Sequence, residues 1–247
     1  MHLHIGHLYP HTMSTYGDTG NITAMVQRAQ WRGLEVTVHE LDLGASVPEN
    51  IDFYFFGGGQ DAAQGSLQED LLDKKGARLR QDIAAGVPLL AICGGYQLLG
   101  SYYQPHDGKK IEGLGIFPVK TQASTQRMIG DLVIKSNPGL GFTDSTLTIV
   151  GFENHSGKTT FLTPEASPLG SVIHGFGNNG EDRTEGCIAG SAIGCYLHGS
   201  LLPKNPHLAD YLLQQACRRH DPAYSLPPLD DSLEWRAHAS IVGRYAN

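Results

Sequence analysis

A short apolar segment that runs into one cysteine and two glycines constrains this chain most. Residues 89–92 read Leu-Leu-Ala-Ile, and the short apolar run is typical of a buried strand. Cys93 follows, then the glycine pair 94–95, and from residue 96 onward apolar side chains repeat at helical spacing. We therefore predict that Cys93 lies on a sharp turn between a strand and a helix.

Such a turn can make a cysteine nucleophilic. The glycines at 94 and 95 allow a tight turn without a Cβ clash and leave backbone N–H groups at the start of the helix. Those N–H groups and the positive end of the helix dipole favour a thiolate at Cys93. A buried cysteine that packs as a small apolar side chain fits the same local pattern, since Gly-Gly turns also occur for structural reasons. The segment alone leaves both interpretations open.

Strands and helices alternate through roughly the first 100 residues, which predicts an α/β fold with a mostly parallel central sheet and helices on both faces. The predicted strands are 3–9, 36–41, 53–56 and the segment ending at Cys93, and the predicted helices are about 21–32 and 67–85. In such sheets the site lies at the carboxyl ends of the strands. Both the glycine triplet 57–59 and Cys93 fall there.

The second half of the chain has a different pattern of predicted secondary structure. Short β-rich segments run from about Gly115 to His198, and they predict antiparallel or mixed strands that extend the sheet: 146–152, 170–174 and 187–198. A helix is predicted to begin at Pro206 with Asn205 as its N-cap. We expect one main domain over residues 1–220, then a C-terminal linker and a short helix over 221–247.

Charge and composition exclude several classes of protein. The net charge of −7 argues against non-specific nucleic-acid binding through a basic face. No basic segment precedes a long apolar run, and no run approaches the roughly 18 apolar residues of a membrane span, so a cytoplasmic location is expected. The four cysteines form neither a CxxC pair nor a dense disulfide spacing.

A cysteine nucleophile needs a base, and the chain offers twelve histidines. His198 ends the apolar run 191–197 and precedes Gly199, so it too is predicted to project from the carboxyl end of a strand. His2 and His4 share one face of the first strand, which raises the question of a metal site. A metal needs three or four convergent ligands, and no carboxylate or cysteine shares that cluster, so we predict no metal there.

Several motifs of the chain resemble those of a known family. Ile-Cys-Gly-Gly-Tyr-Gln around Cys93 and Gly-Cys-Tyr-Leu-His-Gly at 194–199 resemble the class I glutamine amidotransferases, in the branch related to cobyric acid synthase. Three further motifs, at 16–21, 57–61 and 151–159, are similar to the GatD-type glutaminase subunits of lipid II isoglutaminyl synthases. The resemblance covers most of the chain and implies a flavodoxin-like amidotransferase fold.

The resemblance implies a role for each site residue. Cys93 would attack the side-chain amide of glutamine, and His198 would protonate the departing ammonia and then activate water. The N–H groups of Gly94 and Gly58 would stabilise the oxyanion. Arg127, placed in a loop before residues 131–135, matches the family's arginine for the substrate carboxylate, which a guanidinium can bind through both oxygens.

One departure from the family pattern affects His198. Many class I enzymes place a glutamate two residues after this histidine, whereas the present chain has Ser200. The orienting acid is therefore expected to be missing, and the resemblance implies that an aspartate of a MurT-like Mur ligase subunit supplies it in a heterodimer. That partner would bind ATP and Mg²⁺ and amidate the D-glutamate of lipid II. No cofactor is expected on the present chain.

Other interpretations remain open at this stage. Gly157-Lys158-Thr159 looks like the end of a phosphate loop, but five residues separate Gly151 from Gly157 where four are required, so we predict no ATP site. The chain could instead be an amidotransferase subunit for cobyric acid or another corrin-like carboxylate. A non-catalytic binding protein on the same fold, with an inert Cys93, is the third possibility.

Overall fold

Two six-stranded sheets form the framework of the molecule. The computed structural model describes residues 1–13, 17–59, 67–106 and 108–245. The strands are β1 (His2–Leu8), β2 (Glu35–Leu41), β3 (Phe53–Phe56), β4 (Leu89–Ile92), β5 (Tyr102–Gln104), β6 (Ile111–Glu112), β7 (Val119–Ser136), β8 (Thr148–Phe161), β9 (Gly170–His174), β10 (Thr184–Glu185), β11 (Cys187–Ala189) and β12 (Ala192–Cys195). The helices are α1 (Thr19–Gln30), α2 (Gly76–Ala84), α3 (Gly94–Leu99), α4 (Pro206–Arg218) and α5 (Ser232–Tyr245), and a π-helical turn over Leu71–Lys75 leads into α2.

The first sheet has the strand order β11-β12-β4-β3-β1-β2. All its neighbouring strands pair in parallel except the edge strand β11, which runs antiparallel to β12. Every residue of β3, β4 and β12 is buried, as expected for central strands covered on both faces. The α/β fold with a mostly parallel sheet is confirmed.

The remaining strands form a second sheet, in the order β10-β9-β7-β5-β6 with β8 paired to β7. Only β11 and β12 extend the parallel sheet as the sequence predicted. β7 and β8 are 18 and 14 residues long and pair in antiparallel orientation. Buried and less buried positions alternate along β8, so one face of the strand points inward and the register of the pairing is fixed. The predicted strand 146–152 is the beginning of this longer β8.

A backbone bridge next to the site joins the second sheet to the first. Phe152 of β8 and His198 form an antiparallel bridge, with His198 N–H donating to the Phe152 carbonyl at 2.8 Å and Phe152 N–H donating back at 3.3 Å. His198 lies just beyond β12, so the bridge holds the end of the first sheet's β12 segment against β8.

The fourth helix begins at Pro206, as predicted, but Asn205 does not cap it with its side chain. The Asn205 amide donates to the carbonyls of Val150 and Leu201, both at 2.7 Å, and its Oδ1 accepts the Val150 N–H at 2.9 Å. This buried asparagine therefore joins β8 to the start of α4. Its position before a proline matches an N-cap pattern, but its side chain forms hydrogen bonds with Val150 and Leu201 instead of the helix.

The C-terminal segment folds back on the chain itself. The buried Arg28 of α1 donates to Asp210 of α4 at 2.8 Å and to Asp231, just before α5, at 2.6 Å. Ile241 of α5 packs on Val133 and Val150 of the long strand pair. In the described part of the chain, every helix is too short or too polar to cross a lipid bilayer.

A buried glutamate supports the backbone just before His198. Glu185 is fully buried, and its Oε1 accepts the Tyr196 N–H at 2.6 Å. Burial raises the pKa of the Glu185 carboxyl to about 8, and the neighbouring Glu153 carboxyl acts in the same direction. Glu185 is therefore mostly protonated at neutral pH in the folded chain, whereas in the unfolded chain it is ionised.

Glu185→Gln should change how stability depends on pH. The unfolded carboxyl ionises above about pH 4.5 while the folded one keeps its proton up to about pH 8, so the wild type loses stability across this window. A glutamine keeps the acceptor for the Tyr196 N–H and does not titrate. The difference in unfolding free energy between the variant and the wild type should therefore increase as the pH rises through the window, measured by urea denaturation. Glu165→Gln, at an exposed position, should leave that difference constant.

Candidate active site

Cys93 lies on the predicted sharp turn, directly between β4 and α3. Its backbone has φ 50° and ψ −104°, a strained conformation for a residue with a side chain and one that is common at functional sites. Cys93 N–H donates to the Cys195 carbonyl at 2.8 Å, and Gly95 N–H donates to the Gly57 carbonyl at 3.2 Å. A Cβ added at Gly95 would lie 2.6 Å from the Phe56 carbonyl oxygen, so only glycine allows this close approach.

His198 meets Cys93 at the carboxyl edge of the first sheet. Because β12 runs parallel to β4, the residues that follow both strands emerge at the same edge. The two side chains flank the same point, because a Cβ added at Gly58 would lie 2.6 Å from His198 Cε1 and 3.4 Å from Cys93 Cβ, and His198 is 1% exposed. The structure thus brings together the nucleophile and the base that the sequence predicted separately.

A carboxylate that was not predicted, that of Asp18, lies beside His198. Its Oδ2 lies 3.1 Å from His198 Nδ1 and its Oδ1 lies 3.3 Å from the same nitrogen. The residue is fully buried at the start of α1, in the N-cap position, but its carboxylate makes no capping bond. The expectation that the orienting acid is missing is therefore corrected: Asp18 of the same chain occupies the Nδ1 side of the imidazole, where an aspartate of a partner was expected.

The sequence carried a weak signal for this residue. Asp18 stands in the motif at 16–21, but an aspartate immediately before a helix is ordinarily explained as an N-cap. Its contact with His198 spans 180 residues of chain, and no local periodicity reports such a distance. Only the packing of residues 17–20 against the segment that follows β12 reveals this contact.

The environment favours a positively charged His198. Burial by itself lowers the pKa of the imidazole, but Cys93 and the Asp18 carboxylate outweigh that effect and raise it to about 10. An imidazolium between a sulfur and a carboxylate is the arrangement that stabilises a thiolate nucleophile. His198 in turn acts to lower the pKa values of two buried neighbours, Glu185 and His155, through its charge.

The two predicted oxyanion donors differ in their surroundings. Gly94 is the first residue of α3, so its N–H lies outside the helical hydrogen-bond ladder, as predicted. Gly58 N–H, in contrast, donates to Asp18 Oδ2 at 2.8 Å. A Cβ added at Gly58 would lie 2.6 Å from His198 Cε1 and 3.4 Å from Cys93 Cβ. Gly58 therefore lies inside the site, but its N–H holds the acid in this structure.

Arg127 lies within strand β7, where the sequence predicted a loop. It is next to the irregularity between Ala123 and Met128, where the pairing of β7 with β8 shifts register. Its Nε donates to Asn154 Oδ1 at 2.8 Å, and its side chain is exposed. Asn154 is two residues from Phe152, which pairs with His198. Arg127 therefore binds the part of β8 that leads to the site.

Residues 157–159, which resemble the end of a phosphate loop, lie in strand β8. Thr159 Oγ1 shares a 2.6 Å hydrogen bond with the Tyr196 hydroxyl, and Gln97 Nε2 donates to the same hydroxyl at 3.2 Å. Lys158 pairs with Glu181. A phosphate loop wraps its ligand at the start of a helix, whereas these residues brace the segment that leads to His198.

Histidines and carboxylates also cluster away from Cys93. His2 stacks on His4 with ring centroids 4.5 Å apart, and His4 Nδ1 lies 3.0 Å from His39 Nε2. Among the residues that the structure describes, one group has ligand atoms within 4.8 Å of one another, formed by His11, Glu40 and Asp42, and two of its three members are exposed. Exposed groups of this kind are common without an ion, and the absence of a metal stays a prediction.

Comparison with known proteins supports the same chemistry. Residues 4–206 match the model of the CobB/CobQ-like glutamine amidotransferase domain. The chain is 40% identical over 243 residues to the glutamine-hydrolysing subunit GatD of lipid II isoglutaminyl synthase from Staphylococcus aureus, covering 98% of this chain and 96% of that one. It is 42% identical to the corresponding Streptococcus pneumoniae subunit over 234 residues, covering 94% and 87%. The probable cobyric acid synthase of Methanocaldococcus jannaschii is 31% identical over 195 residues, 73% of this chain and 37% of that one.

Solved structures give the same fold at low identity. A crystal structure described as a glutamine amidotransferase superimposes with a TM-score of 0.56 at 14% identity, covering 86% of this chain and 98% of that one. A glutamine amidotransferase from Thermotoga maritima gives 0.53 at 14% identity, covering 99% and 98%. The fold, the cysteine turn and the family match agree, and the chain belongs to the CobB/CobQ-like glutamine amidotransferase family.

Proposed function

We propose that this chain hydrolyses L-glutamine to glutamate and ammonia and delivers the ammonia to a ligase partner. The observation that carries the proposal is the line of three buried groups at one sheet edge: the Cys93 thiol, the His198 imidazole and the Asp18 carboxylate. A cysteine on a strained strand-to-helix turn, next to a buried imidazole, is an arrangement suited to acyl transfer.

The first half of the reaction forms a thioester. The Cys93 thiolate attacks the side-chain amide carbon of glutamine, and the Gly94 N–H stabilises the oxyanion at the start of α3. His198 donates its proton to the amide nitrogen as the C–N bond breaks. The products of this half are ammonia and a γ-glutamyl thioester on Cys93, with His198 left neutral.

The second half regenerates the enzyme. The neutral His198 takes a proton from a water molecule, and the resulting hydroxide attacks the thioester carbon. The C–S bond breaks, glutamate leaves, and Cys93 and His198 return to the thiolate and imidazolium state. One glutamine and one water give one glutamate and one ammonia, so the chain needs no cofactor of its own.

The acceptor of the ammonia follows from the relatives. Two proteins at 40% and 42% identity are glutamine-hydrolysing subunits of lipid II isoglutaminyl synthase. We therefore infer a heterodimer with a MurT-like Mur ligase subunit that binds ATP and Mg²⁺ and amidates the D-glutamate of lipid II in the cytoplasm. In this proposal residues 1–220 form the amidotransferase unit, and the C-terminal segment 221–247 is its appendage.

Cys93→Ala tests the nucleophile. Without the thiolate no thioester forms, so glutamine-dependent amidation by the purified complex should fall by at least about a thousandfold. Ammonium salt supplied in place of glutamine should restore amidation, because the ligase chemistry does not use Cys93. Cys217→Ala, which removes a buried cysteine on α4, is the matched control and should retain activity. Unchanged glutamine-dependent activity in the Cys93 variant would show that the cysteine only packs.

Arg127→Ala tests substrate binding. Among the described residues, the guanidinium uses its Nε for Asn154 and leaves its two terminal nitrogens for the substrate carboxylate. Loss of a charged hydrogen-bond pair should raise KM for glutamine about 10- to 100-fold with a much smaller change in kcat. Arg236→Ala, on the exposed side of α5, is the control. An unchanged KM would show that Arg127 does not bind the substrate carboxylate.

Purification of the native complex tests the acceptor. A Mur-ligase-like chain should co-purify, and the complex should convert lipid II to its amidated form when glutamine and ATP are supplied. Mass spectrometry of the lipid product checks this directly. Co-purification with a corrin-modifying chain, together with amidation of cobyric acid precursors, would favour the alternative suggested by the cobyric acid synthase relatives.

A further inference from the structure

We propose that Asp18 is the positioning residue of His198, so that this chain itself supplies the acid that many class I enzymes place two residues after the histidine. The inference rests on the proposed function and deepens it. It assigns the third member of the Cys93–His198 pair to a turn at the opposite end of the sequence. It also removes the need for a partner's aspartate.

Two contacts hold the Asp18 carboxylate in a fixed orientation. Oδ2 accepts the Gly58 N–H at 2.8 Å and faces His198 Nδ1 at 3.1 Å. The residue is fully buried, so the protein groups around it must stabilise its charge. A buried carboxylate that accepts a backbone N–H and faces an imidazolium can fix both the tautomer and the ring orientation of the histidine. With Nδ1 fixed in this way, Nε2 is the nitrogen that would exchange a proton with Cys93.

The small side chain at position 200 makes room for this arrangement. Ser200 Oγ donates to the Gly17 carbonyl at 2.6 Å, and a Cβ added at Gly20 would lie 2.1 Å from the same Oγ. The residue 17–20 turn therefore packs directly on Ser200. The serine that breaks the family pattern thus occupies the place where the Asp18 turn meets the histidine segment.

The same geometry gives Gly58 a second task. Its N–H holds Asp18 in place, so the stability of the acid's position depends on the glycine loop at the end of β3. Among the residues that the structure describes, His198 interacts electrostatically with Cys93 before α3, Asp18 before α1, Glu185 on β10 and His155 on β8. Among these, Asp18 is the carboxylate within hydrogen-bond distance of the imidazole.

The test compares Asp18→Asn with the wild type in the intact complex. The asparagine keeps the shape and an acceptor for Gly58 N–H but loses the charge that stabilises the imidazolium. We expect kcat for glutamine hydrolysis to fall by roughly a thousandfold with KM little changed. We also expect the pH midpoint for alkylation of Cys93 by iodoacetamide to move upward, because the thiolate loses its imidazolium partner at neutral pH. Mass spectrometry of the Cys93 peptide follows the alkylation.

Asp82→Asn is the matched control. Asp82 is likewise a buried carboxylate, but it accepts from the Tyr54 hydroxyl and pairs with Arg78. This variant should leave both kcat and the alkylation profile unchanged. A folded Asp18→Asn variant with wild-type kcat and a wild-type alkylation profile would overturn the proposal.

A second measurement needs no substitution at Asp18. The imidazole of His198 in the labelled wild-type chain, assigned by comparison with His198→Asn, should remain protonated well above the ordinary histidine range in NMR titration. Titration near the ordinary value of about 6.5 would contradict the proposal. Cys93 alkylation and the NMR titration use no substrate, so they test the role of Asp18 separately from the proposed glutaminase function. A wild-type complex that fails to hydrolyse glutamine would defeat the proposed function while leaving the Asp18 result intact.

Discussion

The hydrogen bond from Cys93 N–H to the Cys195 carbonyl joins the ends of two adjacent parallel strands, and the site depends on that junction. β4 delivers the nucleophile and β12 delivers the histidine segment, and parallel pairing brings both to the same edge. The second sheet closes the arrangement, because Phe152 of β8 pairs with His198 on both its N–H and its carbonyl. A shift in either contact would separate the thiol from the imidazole.

Burial of charge is the second constraint on this site. His198 and Asp18 are almost completely excluded from solvent, and isolated charges in such surroundings are strongly disfavoured. They are tolerated because each compensates the other: the carboxylate faces the imidazolium, Cys93 also favours the charged imidazole, and the Gly58 N–H donates to the acid. The groups form one electrostatic unit, so removal of one charge changes the protonation of the others.

Local pattern predicted much of the fold, and it failed where tertiary contacts overrode it. The alternating strands and helices and the cysteine turn were correctly predicted because burial on both faces of a parallel sheet leaves continuous apolar runs in the sequence. Strand β7 was not predicted around Arg127, because its exposed residues 125–127 and its register shift erase the alternation that marks a strand. Asn205 matched an N-cap by position, yet its amide binds β8.

The sequence by itself predicted the nucleophile and the base, through motifs that resemble those of class I amidotransferases, and it determined the kind of sheet that presents them, since buried strands leave continuous apolar runs. Only the tertiary structure brought a carboxylate next to the histidine. Asp18 and His198 are 180 residues apart, and the carboxylate reaches the imidazole because Ser200 and Gly20 let two turns pack together. Such a contact depends on small side chains where distant segments pack together, and the periodicity of the sequence cannot predict it.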